Sequence, residues 1–406
     1  MTLARLRSTS PPRLLRWLLA LFVALASLQL AVVLISLEAG VVAWATFIER
    51  THGAAAAHFA IYDTGWFTAI GGLLAANVLS AVLIRFPWRR RQTGFVVTHA
   101  GILVLLAGCL VSQRYGIEAQ LPIFEGHTAH RALQESSHFE LQVAPASPSS
   151  EAASAAKPTE VILVPFVAGP FSWNQYATLS WFPWLVAHRS RGILYDEDGI
   201  ALEVLDYQAQ PKSSAKLRLT VDGVAKEFDV ATSSGDPSEE ARRRVVEGKG
   251  RQVTVSMRPD EVDLGFQLYL HKFQRKLDPG GGMASHYSSL VDFLDLSNPP
   301  RKLQTNVLIT LNAPVDFADP RAGCTFRLFQ ASFEPPWLPG DPEFDQLVDK
   351  DRSRDQVFLS RLSVNCDPGR GLKYAGSLLI VAGIIMVYYL RAYFARKENN
   401  ETAAAP

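Results

Sequence analysis

Four apolar stretches most constrain what this chain can fold into, because a run of this length is stable only across a bilayer or in a large core. Each holds roughly the 17–25 residues that a helix needs to cross the hydrocarbon. The stretch between the third and the fourth is of ordinary polar composition. The sequence therefore predicts an integral membrane protein with four transmembrane α-helices, three N-terminal and one C-terminal, at residues 17–37, 66–86, 95–111 and 374–390.

The first apolar stretch follows a basic tail, residues 1–16, as a secretory signal peptide would. Its apolar run is longer than the core of a usual signal, and no small-residue cleavage site follows it. We expect it to stay in the protein as a membrane anchor.

Basic residues predict the orientation of the chain in the membrane, because Lys and Arg concentrate in cytoplasmic segments. They cluster in the tail 1–16, around the short link 87–94 and in the tail 391–406. If each apolar stretch crosses once, all three clusters lie on the same side. We therefore expect both termini and the link to be cytoplasmic. The loop 38–65 and the domain 113–373 should be extracytoplasmic, which places the chain in the cytoplasmic membrane.

The polar stretch 135–365 is rich in short segments that alternate apolar and polar residues, such as EVILVPF, KLRLTVDG and FQLYLHKF. Such alternation predicts half-buried strands. We expect a mostly antiparallel β domain of sandwich type. Composition predicts a flexible insert at 144–158 and a similar loop at 232–240, and SEEARRRVVEG, 238–248, predicts one short helix.

Motifs and charge exclude several classes of function. The chain has no phosphate loop, no Gly-x-Ser-x-Gly elbow and no HExxH, and its formal net charge is +1, which gives no reason to expect nucleic-acid binding. Cys109 falls in the third helix, where a small buried residue is expected. Cys324 and Cys366 both fall outside the membrane, where a disulfide is chemically possible, and the sequence leaves their pairing open.

Several stretches, in order along the chain, resemble the ResB (CcsB-type) proteins of cytochrome c maturation. They are IYDTGWFTAIGGLLAANVLSAVLIRFPWRRRQTGFVVTHAGIL, QLPIFEGHT, HYSSLVDFLDL, VLITLNAPVDFADPRAGCTFRLFQASFE and DPGRGLKYAGSLLIVAGI. The chain departs from the family at Ala313, where His or Lys is common, and at Phe329, where Tyr is usual. Residues 144–260 match no motif of the family. The resemblance thus covers both ends of the chain and the second half of the outer domain.

The resemblance implies a subunit of a haem-delivery and cytochrome c assembly complex of the system II kind. Such a subunit works with a polytopic membrane partner, CcsA or ResC, which carries a tryptophan-rich outer segment. Together they carry haem across the membrane and attach it to apocytochrome c. The stretch WNQYATLSWFPW, 173–184, does not resemble that segment, so the chain looks like the subunit without its fused partner. It is expected to have no enzymatic activity alone and to contribute to a holocytochrome c synthase.

His99 lies close to the start of the third apolar stretch, just after the arginines of the link. A titratable group is costly in a bilayer and marks a functional position. A neutral imidazole is a good axial ligand of haem iron. With the resemblance, His99 becomes the candidate axial ligand, and Arg89, Arg90 and Arg91 become candidate contacts of the haem propionates. The alternatives remain that His99 hydrogen-bonds a neighbouring helix and that the arginines only mark topology.

The remaining polar candidates have mostly structural interpretations. His127 and His130 are three residues apart and would suit a metal only if they shared a helix, and no third ligand is visible. Histidines in the first outer loop or near strands are expected to be solvated or interfacial: His52, His58, His138, His188, His271 and His286. Asn77 should bond another helix. Asn312 with Pro314, and Asp367 with the Pro-Gly that follows it, should form turns.

Two functions therefore stay open. The first is a haem-handling subunit that meets a CcsA/ResC-type partner, apocytochrome c and membrane lipid. The second is a membrane-anchored β scaffold that binds an extracytoplasmic protein and never contacts haem.

Overall fold

The computed structural model of the protein describes residues 13–145, 160–166, 192–208, 214–231, 243–277, 284–321, 323–341, 344–348 and 355–403. The chain forms two compact units. The helical unit comprises Met1–Thr46, Ile61–Gly116 and Asp367–Pro406, and the β unit comprises Phe47–Ala60 and Ile117–Cys366.

The helices follow the apolar pattern of the sequence. They are α1 (Arg13–Leu25), α2 (Leu28–His52), α3 (Ala54–Ala57), α4 (Gly65–Leu83), α5 (Thr93–Tyr115), α6 (Phe344–Leu347) and α7 (Arg370–Ala403), with a π-helical turn at His58–Tyr62 and a 3₁₀ turn at Arg90–Gln92. Among the described residues, four helical stretches are long and apolar enough to cross a membrane: Leu28–Thr51, Gly65–Leu83, Arg90–Tyr115 and Arg370–Tyr389. The predicted number of helices that are long and apolar enough to cross a membrane is confirmed.

The first of these stretches differs from the prediction of a single helix at 17–37. The chain leaves the helix at Ala26 and Ser27 and starts α2 at Leu28, so the membrane-length helix runs to Thr51. The Ser27 hydroxyl accepts from the backbone N–H of Gln29 at 3.2 Å, as an N-cap does. Hydropathy alone does not register a cap. Residues 38–52, predicted as loop, therefore belong to α2.

Asn77 of α4 holds this break in place. Its side-chain amide donates to the carbonyl oxygens of Leu25 at 2.5 Å and of Ser27 at 3.0 Å, and Asn77 is 3% exposed. A break in a helix frees backbone carbonyls, and in a low-dielectric setting they need donors from elsewhere. The prediction that Asn77 bonds another helix is confirmed.

Helices α5 and α7 pack backbone to backbone through glycines at seven-residue spacing. On α5 they are Gly94, Gly101 and Gly108, and on α7 the matching positions are Gly376 and Gly383. A Cβ added at Gly101 would lie 2.7 Å from the backbone nitrogen of Ile380 and 2.8 Å from the carbonyl oxygen of Gly376. Only glycine permits this approach, which is typical of small-residue contacts between membrane helices.

The Asp367–Gly369 turn leads into α7, as predicted. Asp367 accepts from the Ser112 hydroxyl at 2.5 Å and pairs with Lys373 Nζ at 2.6 Å. Burial raises the pKa of Asp367, but the hydrogen bonds from Lys373 and Ser112 outweigh it, so its pKa lies below the usual value. The carboxylate thereby ties the C-terminal end of α5 to the start of α7.

The β unit is a large antiparallel domain, as predicted. One sheet has ten strands, with the order β11-β10-β9-β2-β1-β14-β13-β12, while β3 pairs with β2 and β8 pairs with β9. The other sheet has the order β4-β5-β6-β7. The strands are β1 (Ile117–Phe124), β2 (Thr128–Pro145), β3 (Glu160–Phe166), β4 (Gly192–Glu197), β5 (Ile200–Gln208), β6 (Ser214–Val221), β7 (Val224–Ala231), β8 (Arg244–Glu247), β9 (Arg251–Leu277), β10 (Ala284–Leu294), β11 (Lys302–Thr310), β12 (Val315–Ala318), β13 (Thr325–Phe333) and β14 (Leu359–Cys366).

Two apolar cores lie along the long strands β2 and β9. The first core packs Phe139 and Leu141 of the ten-stranded sheet with Leu202 and Leu217 of the four-stranded sheet, which is the arrangement of a sandwich. The second lies within the ten-stranded sheet and includes Phe266. Alternation along β6 buries every second side chain.

Two local predictions meet the structure only in part. The predicted helix 238–248 is wrong where it can be seen, because residues 244–247 form β8 and Val246 is fully buried against β9. Residues 238–242 lie outside the described part, as do 146–158 of the predicted insert and the loop 232–240. Residues 144 and 145 end β2. Asn312 and Pro314 lie between β11 and β12, in the predicted turn.

A disulfide joins Cys324 to Cys366, so the pairing that the sequence left open is formed. Cys366 ends β14 and stands in register with Ile117 of β1 and Phe326 of β13. It is 7% exposed, within the second core. The bond therefore links the segment before β13 to the last residue of the β unit.

Candidate functional site around His99

His99 lies about two turns into α5 and is half-buried. Its Nδ1 is 2.9 Å from the backbone oxygen of Phe95, one turn earlier. A carbonyl oxygen only accepts, so Nδ1 carries the proton and donates. In the neutral imidazole this leaves the lone pair on Nε2. None of the described residues hydrogen-bonds Nε2, so the hydrogen bond that fixes the ring stays within its own helix.

The Phe95 ring packs against the His99 ring, and the Arg85 guanidinium packs against Phe95 in turn, which forms a stack of three side chains. The Phe95 and His99 rings have centroids 3.9 Å apart and are tilted by 37°. On Phe95 lies the guanidinium of Arg85, with Cζ 4.2 Å from the ring centroid. Arg85 also donates from Nη1 to the Ala81 carbonyl oxygen at 2.8 Å. The order Arg85, Phe95, His99 thus brings a cation, an apolar ring and an imidazole together.

The chemistry of these three side chains suits a flat, partly anionic metal complex. The fixed imidazole offers a nitrogen lone pair to a metal, since a hydrogen bond at one ring nitrogen sets the tautomer and orients the other. The phenyl ring adds apolar surface beside the imidazole, and the guanidinium retains donors for a carboxylate. The residues present therefore fit haem by the chemistry of their donors.

The arginines of the link lie next to this stack in sequence. Arg89 precedes the 3₁₀ turn, its backbone N–H donating to Gln92 Oε1 at 2.9 Å, and Arg90 and Arg91 form the turn. All three are exposed. In the part of the chain that the structure describes, no hydrogen bond, ion pair or ring contact joins them to His99. The arginine that the structure brings to His99 is Arg85.

The remaining histidines have other surroundings. His127 lies in a turn and His130 on β2, so the two do not share a helix. Within the described ranges, no group of three or more His, Cys, Asp or Glu side chains could hold a metal ion. His52 ends α2 and His58 begins the π-helical turn, so both lie on helical turns rather than in a loop. His188 lies outside the described residues.

Two histidines on strands pair with carboxylates. His138 Nδ1 is 2.6 Å from Asp260 and His271 Nε2 is 3.0 Å from Asp292. Asp292 is 1% exposed and also contacts Lys302 Nζ at 2.9 Å and the Asn306 backbone N–H at 2.8 Å. Burial raises the pKa of Asp292, but these hydrogen bonds outweigh it, so its pKa lies below the usual value. The polar interpretation of these strand histidines agrees with this geometry.

Sequence reasoning missed Phe95, Arg85 and Glu38. Phe95 and His99 stand four apart, the spacing at which helical side chains meet, so this pair was visible in principle. Arg85 reaches Phe95 only because α4 and α5 are neighbours. Glu38 directly follows the predicted end of the first span, so the sequence predicts that it lies in a loop. In the structure α2 extends past it, and Glu38 lies inside a membrane-length helix.

No protein-family model matches the chain. Protein NrfI of Wolinella succinogenes is 24% identical to it over 345 residues, which are 84% of this chain and 32% of NrfI. The chain thus spans about a third of the length of this curated relative and is similar to one part of it.

Proposed function

We propose that this protein is a subunit of a membrane haem-delivery and cytochrome c assembly complex. The similarity to NrfI supports a role in cytochrome c maturation. The ResB-like motifs support the narrower role, in which the subunit helps to carry haem across the membrane and to present it to apocytochrome c. The partner is a polytopic haem-handling protein of the CcsA/ResC type, which supplies a second ligand.

The observation that carries the proposal is the hydrogen bond from His99 Nδ1 to Phe95. An intramembrane histidine that only joined helices would direct its ring nitrogens to a neighbouring helix. His99 uses one nitrogen within its own helix and leaves Nε2 for a group that none of the described residues provides. When bound, haem would supply an iron that an imidazole nitrogen can ligate, and His99 would hold it through Nε2.

Phe95 and Arg85 have supporting roles in this proposal. Phe95 holds the imidazole plane by ring contact, and it adds apolar surface beside the imidazole. Arg85 lies over the Phe95 ring and would be the nearest propionate contact, with Arg89, Arg90 and Arg91 as further contacts along the link. By the distribution of basic residues, this end of α5 is cytoplasmic, and the β unit lies on the extracytoplasmic side.

The test compares His99→Ala and His99→Gln in the full chain, purified together with its partner. A glutamine amide can still donate to the Phe95 carbonyl, so a structural role would tolerate it, whereas an amide is a poor ligand of haem iron. We expect both variants to insert normally and to lose most of the copurifying haem, measured by absorption, and most assembly of c-type cytochromes. His286→Ala, at an exposed position of β10, is the matched control.

If His99→Gln keeps full haem and full cytochrome assembly, the imidazole is not a ligand and the proposed haem site is refuted. Normal cytochrome assembly without any haem in the complex would instead favour the scaffold function, in which the β unit binds an outer protein and haem stays with the partner.

A further inference from the structure

Glu38 is a carboxylate in the middle of a membrane helix. It lies on α2, within the membrane-length stretch Leu28–Thr51. At a rise of 1.5 Å per residue it is roughly 15 Å from the start of the helix and roughly 20 Å from the end of this stretch. Acidic side chains at this depth are rare, because the hydrocarbon offers them no solvation, and they mark functional positions.

Its surroundings in this chain are apolar. The cluster one turn earlier joins Leu34 of α2 to Leu74 and Val78 of α4, with Ile102 of α5 packed against it. Glu38 Oε1 lies 3.9 Å from the position that a Cβ would take at Gly71 of α4. The carboxylate therefore lies over a backbone that carries no side chain. No described residue forms a hydrogen bond or an ion pair with it.

The exposure of neighbouring residues shows which side of Glu38 is open. Leu34 and Ala45, on one side of its position around the helix, are 4% and 0% exposed. Ile35 and Val42, on the other side, are 56% and 44% exposed. Glu38 itself is half-buried, at the border of these two faces. Gly72, next to Gly71 on α4, has nothing within 4 Å of an added Cβ, so a further helix can approach closely here.

We propose that Glu38 is the centre of a docking surface for a transmembrane helix of a second protein, and that this helix presents a basic side chain at mid-bilayer depth. The docking surface consists of Ile35, Glu38, Val42 and Gly72. Charge complementarity selects the occupant, since a carboxylate in hydrocarbon is stabilised best by a cationic donor that approaches from the open side. The proposal does not depend on haem binding at His99.

The test uses the full chain in the membranes of its own cell. A photoreactive amino acid at Val42, one turn from Glu38, is activated, and the crosslinked peptide is identified by mass spectrometry. We expect an adduct with a transmembrane segment of another protein that carries Lys, Arg or His near the crosslinked residue. The adduct should fall by about tenfold in Glu38→Leu, the factor that an intramembrane hydrogen bond of typical strength supplies.

Two further variants separate docking from insertion. Leucine removes the costly charge and favours insertion, so loss of the adduct in Glu38→Leu would not reflect failure to insert. Ser36→Leu makes a similar change on the opposite side of α2 and should leave the adduct intact. Glu38→Lys should abolish the adduct, and changing the partner's basic residue to Glu should restore it.

Several outcomes would overturn the proposal. They are an adduct only with lipid or with a second copy of this chain, an adduct with a segment that lacks a basic residue, no adduct, and an adduct that Glu38→Leu leaves unchanged. None of these bears on haem content, so this proposal and that for His99 can fail independently.

Discussion

Removal of the disulfide between Cys324 and Cys366 should cost the β unit much of its stability. The two cysteines are 42 residues apart in sequence. A crosslink that closes a loop of this length removes about 13 cal/mol/K of entropy from the unfolded chain, or about 4 kcal/mol at 25 °C. A domain is typically stable by about 5–15 kcal/mol, so the expected loss is a large fraction of the total.

The position of the disulfide predicts that the loss of stability is greatest around β13 and β14. Cys366 is the last residue of β14, and β14 is the strand between β1 and β13. Without the crosslink, the segment before β13 is free to separate from the end of β14, and the second core opens from that edge. We therefore expect proteases to cut first near Cys324, on the Arg321–Gly323 side of the bond.

The assay is urea unfolding of the purified full chain, followed by pulse proteolysis of the β unit. The variant Cys324→Ala with Cys366→Ala should lose about 4 kcal/mol of unfolding free energy. A reductant should lower the stability of the native chain to a similar extent and should not affect the variant. Cys109→Ala serves as the control, because Cys109 is a free cysteine on α5 and is exposed, not buried as the sequence predicts. A variant as stable as the native chain, in the presence and absence of reductant, would refute the reasoning.

Two further predictions follow from close contacts. Gly101→Ala should destabilise the α5–α7 pair by about 1–3 kcal/mol, because the added Cβ would meet the backbone of α7. Gly371→Ala, where space is open, should not destabilise the pair. Equal thermal midpoints of the two variants in detergent would contradict this prediction. Asp292 has a lowered pKa, so its stabilisation is full above the ordinary value of about 4 and disappears as pH falls through the lower folded-state value. The difference in unfolding free energy between the native chain and Asp292→Asn should therefore shrink in acid, and a difference that stays constant from pH 7 to pH 2 would contradict it.

Features of the fold that depend on residues close together in sequence could be predicted from the sequence. Apolar length predicts the number of helices that could cross a membrane, alternation predicts the antiparallel strands, and the position of Asn77 predicts its bond to another helix. The boundary of the first span was missed because a serine cap ends one helix and starts another within an unbroken apolar run. Hydropathy measures transfer to lipid and carries no information about caps.

In the candidate site too, the sequence predicts some features and only the structure shows the others. His99 stood out in the sequence because an imidazole in an apolar stretch is rare, but its hydrogen bond to Phe95 and the guanidinium over Phe95 required the structure. Which arginine of a basic cluster reaches a given ring depends on where α4 ends and how it meets α5. Glu38 becomes a candidate functional position only because α2 extends past it in the structure.

The glycine contact between α5 and α7 has a consequence for the biosynthesis of the protein. The whole of Ile117–Cys366 must be translated after α5 and before α7, which takes on the order of tens of seconds at usual rates. During that delay the bare backbone of Gly94, Gly101 and Gly108 has no partner helix. The pairing of β1 with β14 also waits for the end of the chain. A nascent chain released before residue 359 would lack both the α5–α7 contact and the β1–β14 pairing. It would expose the glycine surface of α5 and the unpaired strand β1 to the quality-control proteases of the membrane.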